Sequence, residues 1–545
     1  MRSRDSWFPG PLLVIMLVAS AVILPFSWLG IPSGHDFEFH LNSWMEVAGQ
    51  WGHGHLHSCW SAAAHYGYGE PRFVFYPPAS WMLGAALGTL LPWVAVPAAF
   101  VWIALTLSGC SMFLLARRWL GRQDAAFAAA LYITNPYFIL LVYWRSAFAE
   151  LLAGALLPGL LMYVLRAPED GRRVLLPLGI VVAAAWLTNA PAAVMLCYSL
   201  ALLSVVVAVA ERSPRVLILS AGAVSLGAAL AAFYLVPAVY EQKWVNISQV
   251  LAPGLRPEVS FLFSTIGNPD HNRFNLLVSL VAAAEIAVLA LAALRSRSWR
   301  KRSPRLWWTT VVWAGTAAVL MLPVTAFFWQ YLPELRFLQF PWRWLLCLNL
   351  PLALLVTMAW RRWLTRVCAW VTILVVLSFA CHRVQAPWWE QPADIAKMIT
   401  AQRSGAGYEG TDEYTPVYAD VDDARLDAAL VTLQNGAAAQ FRVLQWDAEA
   451  KLFIVQNTEP TRLLLRLFNY PAWHVTVNGA VVEAETQDDT GQMMIPVPAG
   501  TNQVRVTFTK TPDRKAGEII SGATVGLLAG FFLLDRRRRS VLRTP

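Results

Sequence analysis

The chain has 545 residues, 57% of them hydrophobic and only 14% charged, with a formal net charge of +9 and a mean hydropathy of +0.47. Such a composition excludes an ordinary soluble enzyme and a disordered chain, and indicates a polytopic membrane protein. The basic residues fall in short clusters between apolar runs rather than in one patch, so the positive charge argues for membrane topology and against a nucleic-acid partner.

Arg2 and Arg4 precede an apolar run from Pro9 to Gly30. The run is long for a signal core and lacks a small-x-small cleavage site, so it reads as an uncleaved signal anchor. A crossing takes about 20 apolar residues. On that basis the expected spans, about twelve, are 10–30, 95–116, 124–143, 147–165, 174–190, 191–210, 216–238, 274–294, 307–327, 341–360, 364–381 and 517–534. Residues 78–93 are apolar but short and bracketed by prolines. A crossing there would move Arg117 and Arg118 outside, so the segment reads as a juxtamembrane or re-entrant helix on the outer face.

With both termini in the cytoplasm, the inner loops hold most of the charge. They carry Arg117, Arg118 and Arg122; Arg166, Arg172 and Arg173; Arg212 and Arg215; Arg295 to Arg305; Arg361, Arg362 and Arg366; and, with Arg543, the run Arg536 to Arg539. The short outer loops hold only Arg72, Arg145, Lys243, Arg256, Arg273, Arg336 and Arg343. This asymmetry sets the orientation.

Residues 383–515 are polar and carry alternating runs at Gln440 to Gln445, Lys451 to Gln456, Arg462 to Phe468, Trp473 to Val477 and Gln503 to Phe508. Period-2 alternation predicts strands, and Asn478-Gly479 predicts a tight hairpin. The expected organisation is a transmembrane domain over 1–382 with a first outer loop at 31–94. An extracytoplasmic β-sandwich over 383–515 follows, then a last span and basic tail over 516–545.

Polar groups of chemical interest gather on the expected outer face. The first loop offers His35, Asp36, Glu38 and His40 in GHDFEFH, then Arg72 and Tyr76 in RFVFYPP. Later come Arg145, Glu150, Glu241, Arg336 and Arg343. Ionisable groups at membrane depth are costly and face protein interior or a wet cavity. Carboxylates there can accept a proton, and arginines can hold phosphate oxygens. Each group also has a plainer reading. Asp36 can be a solvated helix-end residue, Arg145 and Glu150 a structural ion pair, and Arg336 and Arg343 headgroup anchors. The Phe73–Tyr76 run can be an interfacial belt rather than a sugar platform.

His53, His55 and His57 alternate, as metal ligands on a strand would, but Gly52 and Gly54 favour a solvated loop; a divalent metal stays open. The six cysteines have no disulfide or zinc spacing. Walker, dinucleotide and serine-elbow motifs are all missing from the sequence.

GHDFEFH, FVFYPP, Arg145 with Glu150, FLQFPWRW, GYEGTDEYTP (407–416) and the late YPAWHVTVNG…VPAG pattern resemble, in that order, the bacterial YfhO-like group. The same group is labelled "6-pyruvoyl-tetrahydropterin synthase-related" membrane proteins, a label that brings no pterin chemistry. More broadly the chain is similar to the GT-C superfamily of membrane glycosyltransferases. The resemblance covers nearly the whole chain and implies a multi-pass protein of the bacterial inner membrane. It implies transfer of a sugar from a polyprenyl-phosphate donor to an extracytoplasmic glycan, lipid or protein acceptor. Asp36 takes the place of the first-loop base, with Glu38 as alternate, and Arg343 and Arg336 match arginines that steady the departing phosphate. Asp-x-Glu stands here where many members carry Asp-x-Asp or Glu-x-Asp. The alternatives are a lipid-linked glycan transporter or flippase, and a non-catalytic scaffold that binds envelope glycan.

Overall fold

The computed structural model describes residues 9–360, 362–422 and 428–541, with backbone alone over 535–541. Arg2, Arg4, Arg361 and Arg543, which entered the charge reading, lie outside the described residues, as do the side chains of Arg536 to Arg539. The chain forms two compact units: Met1–His40, Leu90–Ala229 and Val250–Pro392 make the first, and Leu41–Thr89, Leu230–Gln249 and Ala393–Pro545 the second. Most of the first outer loop clusters with the C-terminal region.

Among the described residues, nine helical runs are long and apolar enough to cross a membrane, and two bent helix pairs pass the same test together. One of the nine, Phe148–Thr188, runs for 41 residues, twice what a crossing needs. It folds back on itself: a Cβ at Gly159 would lie 3.3 Å from Val181 Cγ2, whereas 22 residues of straight helix cover about 33 Å. Gly171, at φ +56°, sits at the turn. The sequence reading of two segments, 147–165 and 174–190, follows this bend. The bent pairs, Arg215–Leu230 with Ala232–Trp244 (78°) and Pro304–Leu320 with Pro323–Tyr331 (92°), fall at the expected 216–238 and 307–327.

Close helix packing in the first unit depends on small residues, as is usual where lipid removes the hydrophobic drive. A Cβ on Gly109 would meet Ile15 at 2.6 Å, and one on Gly227 would meet Val182 at 2.7 Å. The helix Pro341–Ala359 lies at the centre of this packing, with 94% of its span window buried. Two short strands, β1 (Ile31–Pro32) and β2 (Trp389–Glu390), pair antiparallel and tie the exit of the first span to the end of the helix Trp363–Val384.

In the second unit, Pro78–Leu90 is a 13-residue helix, too short to cross, and a Cβ on its Gly84 would run into the Trp44 indole at 2.1 Å. The C-terminal strands are β3 (Val431–Leu433), β4 (Gln440–Trp446), β5 (Ala450–Asn457), β6 (Thr461–Phe468), β7 (Trp473–Val477), β8 (Ala480–Val482), β9 (Glu485–Thr486), β10 (Gln492–Val497) and β11 (Gly500–Phe508). They form two antiparallel sheets, ordered β3-β6-β10-β9 and β4-β5-β11-β7-β8. Leu463, Leu465 and Ile495 from one sheet share a core with Phe453, Val475 and Val504 from the other. Alternate residues of β5, β6, β7 and β11 supply that core, as the pleat requires. Asn478 and Gly479, at φ 52° and 85°, make the two-residue turn between β7 and β8 that needs positive φ at both positions.

Candidate active site

The first unit brings four of the expected residues into one chain of contacts. Arg145 Nη2 donates to Asp36 Oδ2 at 2.8 Å. Glu150 Oε2 lies 4.0 Å from Arg145 Nη1 and 3.5 Å from Arg343 Nε, so it sits between two guanidinium groups. Tyr137 donates its hydroxyl to Glu150 Oε1 at 2.5 Å, and Arg343 Nη1 donates to the Leu338 carbonyl at 3.0 Å. Arg145 lies over the Trp342 ring at 5.0 Å and Arg343 over Phe340 at 5.1 Å, where the ring quadrupoles favour cations.

Local backbone explains why these groups meet. The helical run ending at Arg145 closes with a wider π-helical turn, Leu141–Arg145, of a kind often found at functional sites. Ser146 follows at φ 50°, a left-handed conformation that a non-glycine residue holds only under constraint. Its hydroxyl donates to Pro32 O at 2.8 Å and accepts from Gly34 N at 2.9 Å. Asp36 N donates to Arg145 O at 2.9 Å. Gly34 permits this approach, since a Cβ there would stand 2.4 Å from the Arg145 carbonyl carbon.

Burial divides the cluster. The side chains of Arg145 and Glu150 are 4% and 3% exposed, while that of Asp36 is 35% exposed. Arg145 Nη1 and Arg343 Nε are buried without a hydrogen-bond acceptor. Two opposite charges about 4 Å apart gain roughly 4 kcal/mol at an effective dielectric of 20, and desolvation costs several kcal/mol per ion. Both of these donors face Glu150 Oε2 as ion pairs without hydrogen-bond geometry, so the four charges are a poor way to stabilise a fold, and a better-placed anionic oxygen would suit the two cations. Burial pushes the Asp36 carboxyl up. Arg145 more than offsets this, helped by His40, Arg343 and His35, and holds it below the usual aspartate range.

The other expected residues are placed as follows. His35 is exposed and packs edge-on to Phe274 at 4.7 Å and Trp388 at 5.4 Å. His40 is 3% exposed, its ring 5.2 Å from Phe148. Glu38 lies on the exposed side of the helix Phe37–Gly52, and Arg336 is exposed. Arg72, Tyr76 and Glu241 belong to the second unit and are spent on internal bonds. Arg72 is bound by Glu70 at 2.5 Å, Ser43 at 3.0 Å and Thr411 at 3.1 Å. Tyr76 shares a hydrogen bond with Ser80 at 2.8 Å. Glu241 accepts from Arg514 through both oxygens, at 2.6 and 2.7 Å, and from Tyr470 at 2.6 Å. Among the described residues no group of three or more His, Cys, Asp or Glu gathers in a metal-holding arrangement, His53, His55 and His57 included.

Two residues of the cluster, Tyr137 and Ser146, carry no sequence signal that marks them. Both are ordinary within an apolar run, and Trp342 was visible only as part of FLQFPWRW. Glu285 also lies close to this cluster. It is 2% exposed near the middle of Pro269–Arg295, accepts from Tyr137 N at 3.1 Å through Oε1, and leaves Oε2 without a partner. A lone carboxylate inside an apolar 20-mer was the available signal.

Solved structures similar to this chain include the apo oligosaccharyltransferase of Archaeoglobus fulgidus (15% identity, 74% of this chain and 55% of that one, TM-score 0.39). Another is the arabinofuranosyltransferase AftD from Mycobacteria (16%, 74% and 27%, TM-score 0.42). A third is the A. fulgidus oligosaccharyltransferase AglB with an inhibitory peptide and a dolichol-phosphate (15%, 74% and 57%, TM-score 0.41). The chain thus spans between about a quarter and somewhat over half the length of these proteins. No curated protein matches it. The family model described as "6-pyruvoyl-tetrahydropterin synthase related domain; membrane protein" matches residues 73–387, more than half of the chain. The protein belongs to this family of multi-pass membrane proteins.

Proposed function

We propose that the protein is a glycosyltransferase that moves a sugar from a polyprenyl-phosphate donor to an acceptor hydroxyl on the outer side of the bacterial inner membrane. The observation that carries this reading is the Asp36–Arg145–Glu150–Arg343 cluster, with its half-exposed carboxylate against two buried cations that keep unused donors. In the reaction the acceptor oxygen bonds to the sugar's anomeric carbon as the bond from that carbon to the phosphate oxygen breaks, with inversion. The acceptor proton passes to Asp36, and the polyprenyl phosphate leaves with the electron pair.

A carboxylate held below its usual range is a weak base in the ground state. It serves because the hydroxyl becomes acidic only as its oxygen bonds to the electron-poor anomeric carbon, so the transfer is late. Arg145 keeps Asp36 ionised and oriented, while Arg343 and the free edge of Arg145 stabilise charge on the departing phosphate. Glu150 and Tyr137 hold both arginines in place. Arg336 and Glu38, both exposed, stand as secondary candidates for acceptor or phosphate contact, and His35 and His40 as neighbours of Asp36. On this reading both chain termini lie in the cytoplasm and the β-domain outside.

Asp36→Asn tests the assignment: glycan product in membranes should fall to background while protein level is unchanged. Undiminished product would remove Asp36 from the chemistry. A second reading, transport of a lipid-linked glycan, is favoured by Glu285 in mid-helix and by the two bent helix pairs. Reconstituted Asp36→Asn protein that moves labelled lipid-linked glycan at the wild-type rate, with loss of movement in Glu285→Gln, would select it.

A further inference from the structure

The first unit carries a second polar feature at its other end. Arg118 and Arg122 flank the start of the 24-residue run that ends at Arg145, about 36 Å away at 1.5 Å per residue. A cavity of about 860 Å³ opens there among the helices Leu157–Asp170, Ala190–Glu211 and Pro304–Leu320.

Its walls are apolar and its rim is charged. Val209 and Trp308 line it and are 73% and 44% exposed, which suits contact with acyl chains. On the rim, Arg305 is forked between Glu211 at 2.5 Å and Glu169 at 3.0 Å. One guanidinium thus serves two carboxylates, and the Glu169 side chain stays 72% exposed. Arg166 is neutralised by Asp170. Arg118 is exposed, and its guanidinium makes no hydrogen bond or ion pair among the described residues. After internal pairing among the described residues, the rim keeps one free cation and one surplus anion. A soluble phosphate would engage Arg118 alone, leaving the surplus carboxylate and the exposed apolar wall unanswered. A phospholipid bearing a primary ammonium answers all three, as its phosphate meets Arg118, its ammonium meets Glu169 and Glu211, and its chains cover Val209 and Trp308.

We propose that this cavity is a binding site for a phosphatidylethanolamine-type lipid of the leaflet opposite Asp36, independent of the transfer chemistry. The test places the full-length protein in nanodiscs of equal phosphatidylethanolamine, phosphatidylglycerol and phosphatidylcholine, and reads retained lipid by native mass spectrometry. Wild type should retain the ethanolamine lipid several-fold over the other two. Arg118→Ala should lower retention of the ethanolamine and glycerol lipids alike, whereas Glu169→Gln with Glu211→Gln should abolish the preference between them. In wild-type protein, ethanolamine lipid with brominated chains should quench tryptophan fluorescence more than brominated choline lipid. Equal retention of the three headgroups, an unchanged profile in Arg118→Ala, or equal quenching would overturn the proposal.

Discussion

Replacing Gly34 with alanine tests whether the cluster is a working site or a packing accident. The added Cβ would stand 2.4 Å from the Arg145 carbonyl carbon and 2.5 Å from Arg145 N and Trp144 C, whereas ordinary contact begins at 3.4 Å. All three atoms are backbone, so no side chain can swing aside, and the strands of chain must part by about 1 Å. The same shift strains Gly34 N to Ser146 Oγ and Asp36 N to Arg145 O, the two bonds that seat Asp36. Overpacking of this size costs about 1–3 kcal/mol of stability, which leaves a folded protein. A 1 Å misplacement of a reacting group costs on the order of 100-fold in rate, or about 2.7 kcal/mol in barrier.

The assay is transfer of labelled sugar in membranes, with the melting temperature in detergent as control. The double variant Gly34→Ala with Asp36→Asn should be no slower than Asp36→Asn alone, because the glycine acts through the aspartate. Wild-type transfer in Gly34→Ala, or additive losses in the double variant, would refute the reasoning.

The pH profile should follow the ionised form of Asp36. Its folded pKa lies below the ordinary value, so its ion pair persists above the usual carboxylate range and is lost only as pH falls through the lowered value. Transfer should therefore stay flat down to about pH 4, and an acid-limb midpoint above about pH 5 assigned to Asp36 would contradict this. Glu150→Gln leaves Arg145 and Arg343 facing each other without the intervening charge. A loss of about 3–5 kcal/mol is expected, read as a lower unfolding midpoint, and an unchanged midpoint would show the pair to be solvated. Glu241→Gln should destabilise the second unit by a similar amount, because it strips both oxygens' charge from buried Arg514. Limited proteolysis within 430–508 should quicken, and a wild-type digestion rate would place the anchor elsewhere.

The sequence was most readable where one local rule decides the outcome. Apolar run length located the helices, and the charged break at Arg166, Arg172 and Arg173 separated the two segments inside 148–188. Asn478-Gly479 announced a turn that needs two left-handed residues, and alternation in 462–468 exposed the core face of β6. Candidate residues on span ends were legible as costly charges, and four of them do lie in one contact chain. What stayed hidden depends on long-range pairing. Nothing in Arg72 or Glu241 tells that Thr411 and Arg514 will bind them, since those partners lie 339 and 273 residues further along the chain. Ser146 gives no local hint of its left-handed backbone, because the strain is imposed by Pro32 and Gly34 more than a hundred residues earlier.

The buried carboxylate of Glu70 gives the second unit a timetable. Arg72 meets its Oε1 and His65 its Oε2, and Thr411 N also donates to Oε2 at 2.8 Å across 341 residues of chain. Burial raises its carboxyl, yet these partners pull it down to about 2, so it is a charge that must wait for its last ligand. At 5–20 residues per second of synthesis, that ligand leaves the ribosome roughly 17–70 s after Glu70. The first loop is thus made early and completed late, after the intervening spans have been synthesised.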